Sequence, residues 1–238
     1  MSFLTEQIIE SLRDKAISKK AEFLPRYFKS GSGEYGEGDQ FLGVTVPEQR
    51  KIAKACFKEI SLEEISLLLQ NSFHEVRLTA LFILVYKYEK LKEDSDRKKF
   101  VDFYLANLDG INNWDLIDSS CPKILGHYYF KRDKSLFYEL AYSGNLWKQR
   151  IAIISSLYWI KKGEFSDTLA LAKKLLNHPH DLMHKAVGWM LREIGNKDFD
   201  AEYEFLRKHY QSMPRTALRY AIEKFPEEMR QDFLMGRI

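Results

Sequence analysis

Trp147, Asp181 and Arg215 open equivalent segments spaced 34 residues apart, and this interval constrains the fold more than any other feature of the chain. Self-similarity at a period of about 20–50 residues marks stacked supersecondary units, because one short unit cannot bury its apolar face alone and must cover it with the next. Within these units apolar residues recur at three- and four-residue steps rather than alternating, which is the helical pattern. Helices are expected over 146–162, 166–176, 181–194, 201–211, 215–224 and 227–235, with a longer one over 113–130 before them.

The first half reads as helical too, with less regularity. Segments 5–16 and 21–29 form an opening helical pair, and Pro47 stands in the first turn of a helix that begins at Val46. Ser61-Leu62-Glu63-Glu64 has the spacing of a capping box. Segment 74–91 is a long apolar helix, followed by a charged turn over 92–97 and a helix over 98–108 that Asp109-Gly110 closes. Segment 30–40, with four glycines and several polar residues, reads as a mobile loop. The tetratricopeptide pattern is absent, so the repeat is HEAT-like. The expected fold is all-α, a curved solenoid of HEAT-like antiparallel helical repeats forming one domain over 1–238, with a groove on its concave face.

Charge and cysteine content narrow the function classes only modestly. Lys+Arg 37 against Asp+Glu 34 gives a net +3, which permits a polyanionic partner without demanding one. Cys56 and Cys121 lack metal-type spacing and fit small core residues in a reducing compartment. No segment reaches membrane-spanning length, and neither a P-loop nor a strand-glycine-helix fingerprint is present, so no nucleotide cofactor has a visible site. Basic residues recur near the starts of the long helices, at Arg77, Arg150, Lys185 and Arg215, with Lys148, Lys161, Lys162 and Arg219 extending the strip. Helix N-termini with basic side chains suit phosphate groups, although Lys and Arg also line the solvated faces of most helices.

Chemistry is concentrated at Trp114 and Asp118. Four residues apart on a helix, they share one face while Leu116 and Ile117 turn toward the core. A carboxylate beside an aromatic ring suits a cationic, sugar-like transition state; a cap-and-packing account of the same residues remains open, with Asp115 as a cap or dipole partner. Trp147 and Arg150 share a face, and Arg150 suits either a phosphate or an acidic neighbour. Gly188, before Trp189 in a helical segment, points to a close approach by another helix or a ligand. His180 and His184 have a spacing that permits metal binding, but together with His178 they fit hydrogen-bonding or capping roles better, and no metal is expected.

Five segments in order give a resemblance: Phe41-Leu42-Gly43-Val44-Thr45-Val46-Pro47, Asn113-Trp114-Asp115-Leu116-Ile117-Asp118, Trp147-Lys148-Gln149-Arg150, Lys185-Ala186-Val187-Gly188-Trp189-Met190-Leu191-Arg192-Glu193, and Arg215-Thr216-Ala217-Leu218-Arg219-Tyr220-Ala221-Ile222-Glu223-Lys224-Phe225. The chain resembles the AlkD-like DNA alkylation repair proteins over nearly its whole length. The resemblance implies a stack of HEAT-like repeats and a DNA glycosylase that excises cationic N3- or N7-alkylated purines from double-stranded DNA. It further implies Asp118 as the catalytic carboxylate, Trp114 and Trp189 as the aromatic pair at the lesion, and Arg150 as the basic residue beside the cleavage site. Tyr27 matches an additional aromatic at the N-terminal end of the groove. Trp147, Lys148, Lys185, Arg215 and Arg219 are the expected further DNA contacts. Gln149 departs from the family, where many members have a basic residue before the final Arg. No cofactor or membrane is implied, and a monomer located with DNA in the cytoplasm is expected. The alternatives are a noncatalytic DNA-structure-binding protein of the same fold and a protein-interaction scaffold.

Overall fold

A computed structural model describes residues 3–238. Among them the secondary structure is helical with no strand; the one sheet-like feature is an isolated bridge between Gln40 and Phe73. Among the described residues no helix is long and apolar enough to cross a membrane. The chain divides into two compact units, Met1–Ile124 and Leu125–Ile238.

The first unit holds α1 (Phe3–Arg13), α2 (Ser18–Tyr27), α3 (Val46–Cys56), α4 (Leu62–Leu69), α5 (His74–Tyr88), α6 (Asp94–Ala106) and α7 (Trp114–Cys121). Helix α5 is apolar around most of its circumference and is buried accordingly, packed against α3, α4 and α7. Pro47 starts α3 as its spacing predicts, and the Ser61–Glu64 capping box forms with both reciprocal hydrogen bonds. Helix α6 begins earlier than expected, inside the charged turn: Asp94 and Asp96 lie in its first turn, where carboxylates meet the positive end of the helix dipole.

Segment 30–40 is tied down rather than left as a mobile loop. Gln40 N–H donates to Ser72 O and His74 N–H to Gln40 O, while Leu42, Gly43 and Val44 donate their amides to the Glu75 carboxylate. The glycines mark tight turns, and the far end of the segment is held by Ser72 just before α5 and by His74, Arg77 and Asn113 around Asp39.

The helix expected over 113–130 is interrupted. An α-helix ends at Cys121, a π-helical stretch runs through Pro122–Gly126, and one short α-helical turn follows. Pro122 has no N–H to give the helical ladder, which accounts for a break there.

In the second unit the helices are α8 (His127–Tyr129), α9 (Ser135–Tyr142), α10 (Leu146–Ser155), α11 (Leu157–Lys161), α12 (Ser166–Leu175), α13 (Asp181–Gly195), α14 (Phe199–His209), α15 (Arg215–Ala221) and α16 (Glu227–Met235). Helix α9 has no counterpart among the expected segments. The 34-residue interval corresponds to α10, α13 and α15, which pack in series, α10 on α13 and α13 on α15. Side-chain caps mark two of these starts: Asn145 Oδ1 accepts from Trp147 and Lys148 N–H, and His180 Nδ1 accepts from Leu182 N–H. His178 binds Gln149 through Nε2, and His184 Nε2 bonds the His178 carbonyl, so all three histidines serve hydrogen-bonding roles.

Gly188 is explained by a neighbouring helix. A Cβ there would lie 2.6 Å from Tyr220 Cβ and closer still to the Ala217 carbonyl oxygen on α15. Gly188→Ala is expected to lower stability by about 1–3 kcal/mol through overpacking of the α13–α15 contact, measured by denaturant unfolding.

Candidate functional site

Helix α7 carries Trp114 and Asp118 with the facing anticipated for them. Leu116 and Ile117 are fully buried, while Trp114 and Asp118 are half-buried on the other side. The Asn113 side chain caps the helix by accepting from Trp114 N–H at 2.8 Å. The Asp118 charge is felt by Tyr104, whose phenol is pushed well above its ordinary pKa by burial first, then by Cys121 and Asp118.

The N-terminus of α7 is held by a buried charged cluster that sequence reasoning missed. His74 Nδ1 lies 2.9 Å from Asp39 Oδ2, and its Nε2 lies 2.8 Å from Asp115 Oδ2. Arg77 donates to Asp39 Oδ1 at 2.5 Å and to Asn112 Oδ1 at 2.9 Å; Asn113 Nδ2 also donates to Asp39. Burial alone favours a neutral imidazole. The Asp115 carboxylate, by charge and hydrogen bond, and then Asp39 outweigh that and raise the His74 pKa to about 9. Asp39, conversely, is lowered: its hydrogen bond to His74 and the Arg77 charge prevail over its desolvation.

This cluster corrects two readings. Asp115 is more than a cap: one oxygen accepts from Leu116 N–H and the other binds His74. Arg77 is not part of an exposed basic strip, because its guanidinium is buried against Asp39 and Asn112. The signal available in the sequence was His74-Glu75-x-Arg77 opening an otherwise apolar helix, polar groups that need buried partners.

Aromatic rings continue the cluster outward. Phe28 stacks on Trp114 with centroids 5.3 Å apart, and Phe28 and Phe41 both lie over the His74 ring, at 4.6 and 5.2 Å. Tyr27, 52% exposed, meets Trp114 edge-on at 5.9 Å. Tyr27 and Trp114, far apart in sequence, are therefore neighbours.

The remaining candidates lie in the second unit. Trp147, Lys148 and Arg150 share α10; Arg150 is 4% exposed and its Nη1 donates to Leu182 O at 2.7 Å. Trp189 is half-buried on α13 with its indole N–H on Glu193, and Lys185 pairs with Asp181 one turn earlier. Arg215 donates to Leu234 O, and Arg219 is exposed on α15.

The fold has a counterpart among known proteins. Residues 8–225 match the family model described as DNA alkylation repair enzyme. A solved structure described as a predicted DNA alkylation repair enzyme from Enterococcus faecalis is similar in fold, with a TM-score of 0.69 and 16% identity, covering 90% of this chain and 98% of that one. No curated protein matches the chain. An all-α fold with its helices in packed series, and a family match spanning both units, lead to one conclusion: the chain belongs to the DNA alkylation repair enzyme family, whose process makes DNA its partner.

Proposed function

We propose that the protein is a DNA glycosylase that hydrolyses the N-glycosidic bond of cationic N3- or N7-alkylated purines in duplex DNA. The observation that carries this reading is Asp118, half-buried one turn beyond Trp114 on a helix whose start is fixed by a buried charged clamp. An alkylated purine of this kind already bears positive charge. The glycosidic electron pair passes to the purine, quenching its charge, and the purine leaves neutral. Cationic character then develops at C1′, where a fixed carboxylate stabilises it and orients the incoming water. The face of Trp114 favours the same cation. Water adds to C1′ and loses its proton to solvent or to the carboxylate.

In the second unit, Trp189, Trp147, Lys148, Lys185, Arg215 and Arg219 are assigned to the DNA sugar-phosphate backbone, while Arg150, buried with its Nη1 on Leu182 O, holds the start of α13 that presents Lys185 and Trp189. Tyr27 joins Trp114 in the first unit. Each lost phosphate contact reduces the salt dependence of binding, so Arg219→Ala is expected to lower the slope of log K against log salt by about 0.9. Fluorescence anisotropy over a salt series measures it.

The primary test is release of 7-methylguanine from a duplex by the purified full chain. Release well above the spontaneous rate supports the reading. Tight binding to distorted or branched DNA with no release assigns the noncatalytic role instead.

A further inference from the structure

Trp114 is held by two arms, and both end on His74. The first runs along the chain: Asp115, the next residue of α7, has its Oδ2 2.8 Å from His74 Nε2. The second runs through space, since Phe28 stacks on the Trp114 ring at 5.3 Å and lies 4.6 Å from the His74 ring. The arms come from different parts of the sequence and meet on one side chain, 2% exposed. Trp114 is the first residue of α7, so a displaced first turn carries the ring with it.

Only the imidazolium serves both arms and Asp39 at once. Its two ring nitrogens face two carboxylates, Asp39 at Nδ1 and Asp115 at Nε2. The protonated ring donates to both, whereas a neutral ring turns one lone pair toward a carboxylate oxygen. Asp39 is held by Arg77 and Asn113 as well, so Asp115 is the carboxylate that gives way. Losing the cation also weakens its attraction to the Phe28 and Phe41 rings. Three other charged groups stand close by. Arg77, one turn along α5, is paired with Asp39; Glu75 is turned to the amides of Leu42, Gly43 and Val44; Lys20 of α2 lines the same cavity as His74. Burial opposes the charge, and Asp115 and Asp39 overcome it, so the ring keeps its proton up to about pH 9.

We propose that His74 is a positioning residue for excision: as an imidazolium it seats the Trp114 ring, through Asp115 and through Phe28, where that ring meets the sugar. The inference rests on the glycosylase reading for what Trp114 contacts. His74 transfers no proton to the substrate; its charge acts through Trp114.

Asp115→Asn tests the first arm, because it keeps the hydrogen bond and removes the need for the charge. The amide Nδ2 can donate to Nε2 of a neutral imidazole whose Nδ1–H stays on Asp39, while Oδ1 continues to accept from Leu116 N–H. Single-turnover excision of 7-methylguanine from a duplex is measured for both proteins from pH 7 to pH 10, and the ratio of their rates cancels the pH dependence of the lesion. The ratio of wild type to Asp115→Asn is expected to fall about tenfold over that range, since about one-tenth of the wild-type protein keeps the His74 proton at pH 10. Duplex affinity is expected to change less than about twofold, which places the effect in the rate.

A second readout needs no DNA. In 5-fluorotryptophan-labelled protein, with the Trp114 resonance assigned by Trp114→Phe, broadening by a soluble nitroxide reports how exposed the ring is. It is expected to rise from pH 7 to pH 10 in the wild type and to stay level in Asp115→Asn. Phe28→Leu cuts the second arm and leaves the hydrogen bonds of the cluster in place. It is expected to slow excision about tenfold at pH 7 and to raise the broadening, and it keeps the test decisive if Asp115→Asn fails to fold. A constant rate ratio, wild-type broadening that does not follow pH, or full excision by Phe28→Leu overturns the proposal. Broadening that follows pH with no excision by either protein keeps His74 as the seat of Trp114 and rejects the glycosylase reading.

Discussion

Asp118→Asn is expected to slow excision of 7-methylguanine by about 10²–10³-fold in single-turnover measurements, the scale seen when a preorganised electrostatic partner of a transition state is removed. The substitution is close to isosteric, and Leu116 and Ile117 continue to anchor α7 in the core, so the helix should keep its place. The amide loses the negative charge that opposes the developing cation at C1′. It also loses a like charge facing DNA phosphates, so affinity for the duplex should be unchanged or slightly higher. A combined loss of rate and retention of binding separates a chemical role from a folding role. An unchanged excision rate would remove Asp118 from the mechanism, whatever the DNA affinity.

Asp39→Ala is expected to destabilise the protein by about 3–5 kcal/mol, because it leaves buried charge without its partner. Arg77 would keep Asn112 and His74 would keep Asp115, but both would lose the carboxylate that joins them. The pH dependence gives the cluster a signature. His74 has its pKa raised from 6.5 to about 9, so the folded protein holds a proton that the unfolded chain releases. Its stabilising contribution is complete below about 6.5 and is lost as pH rises through about 9. In Asp39→Ala the folded pKa of His74 falls, so less stabilisation is present and its loss ends at lower pH.

Glu202 contributes in the same direction over a lower window. Burial pushes its pKa from 4.5 to about 8 against the opposing Arg192 charge, so stability declines between those values as the unfolded chain ionises first. The alkaline limb belonging to His74 is therefore best read in a Glu202→Gln background. Urea unfolding from pH 5 to 9.5 in both backgrounds measures the two windows separately. A flat profile above pH 6.5 in the Glu202→Gln protein would refute a charged His74.

Helical class and the repeat interval were legible because they depend on local periodicity. The 34-residue spacing led to α10, α13 and α15; the apolar steps match the buried face of α13, whereas α10 is buried all round from Gln149 to Ser155. Local signals also located the capping box at Ser61 and Pro47 in the first turn of α3. Helix boundaries were less legible. The stretch over 113–130 has helical periodicity throughout, yet Pro122 changes the ladder within it. Helix α9 was not anticipated because it is only two turns long, with Glu139 inside its apolar run from Leu136 to Tyr142.

By itself the sequence determined the all-helical class, the repeat, the facing of Trp114 and Asp118 on α7, and the ordered motifs that signal the family. These follow from spacing within a few residues, or from residues whose order along the chain is enough. Only the tertiary structure decided that Asp39, His74 and Asp115 form one clamp, that Arg77 is buried within it, that Tyr27 stands beside Trp114, and that α15 requires Gly188. Those partners are separated by roughly thirty to ninety residues along the chain. Whether a charged side chain faces solvent or a buried counter-charge depends on desolvation and on partners brought near by folding, and neither is encoded in local periodicity.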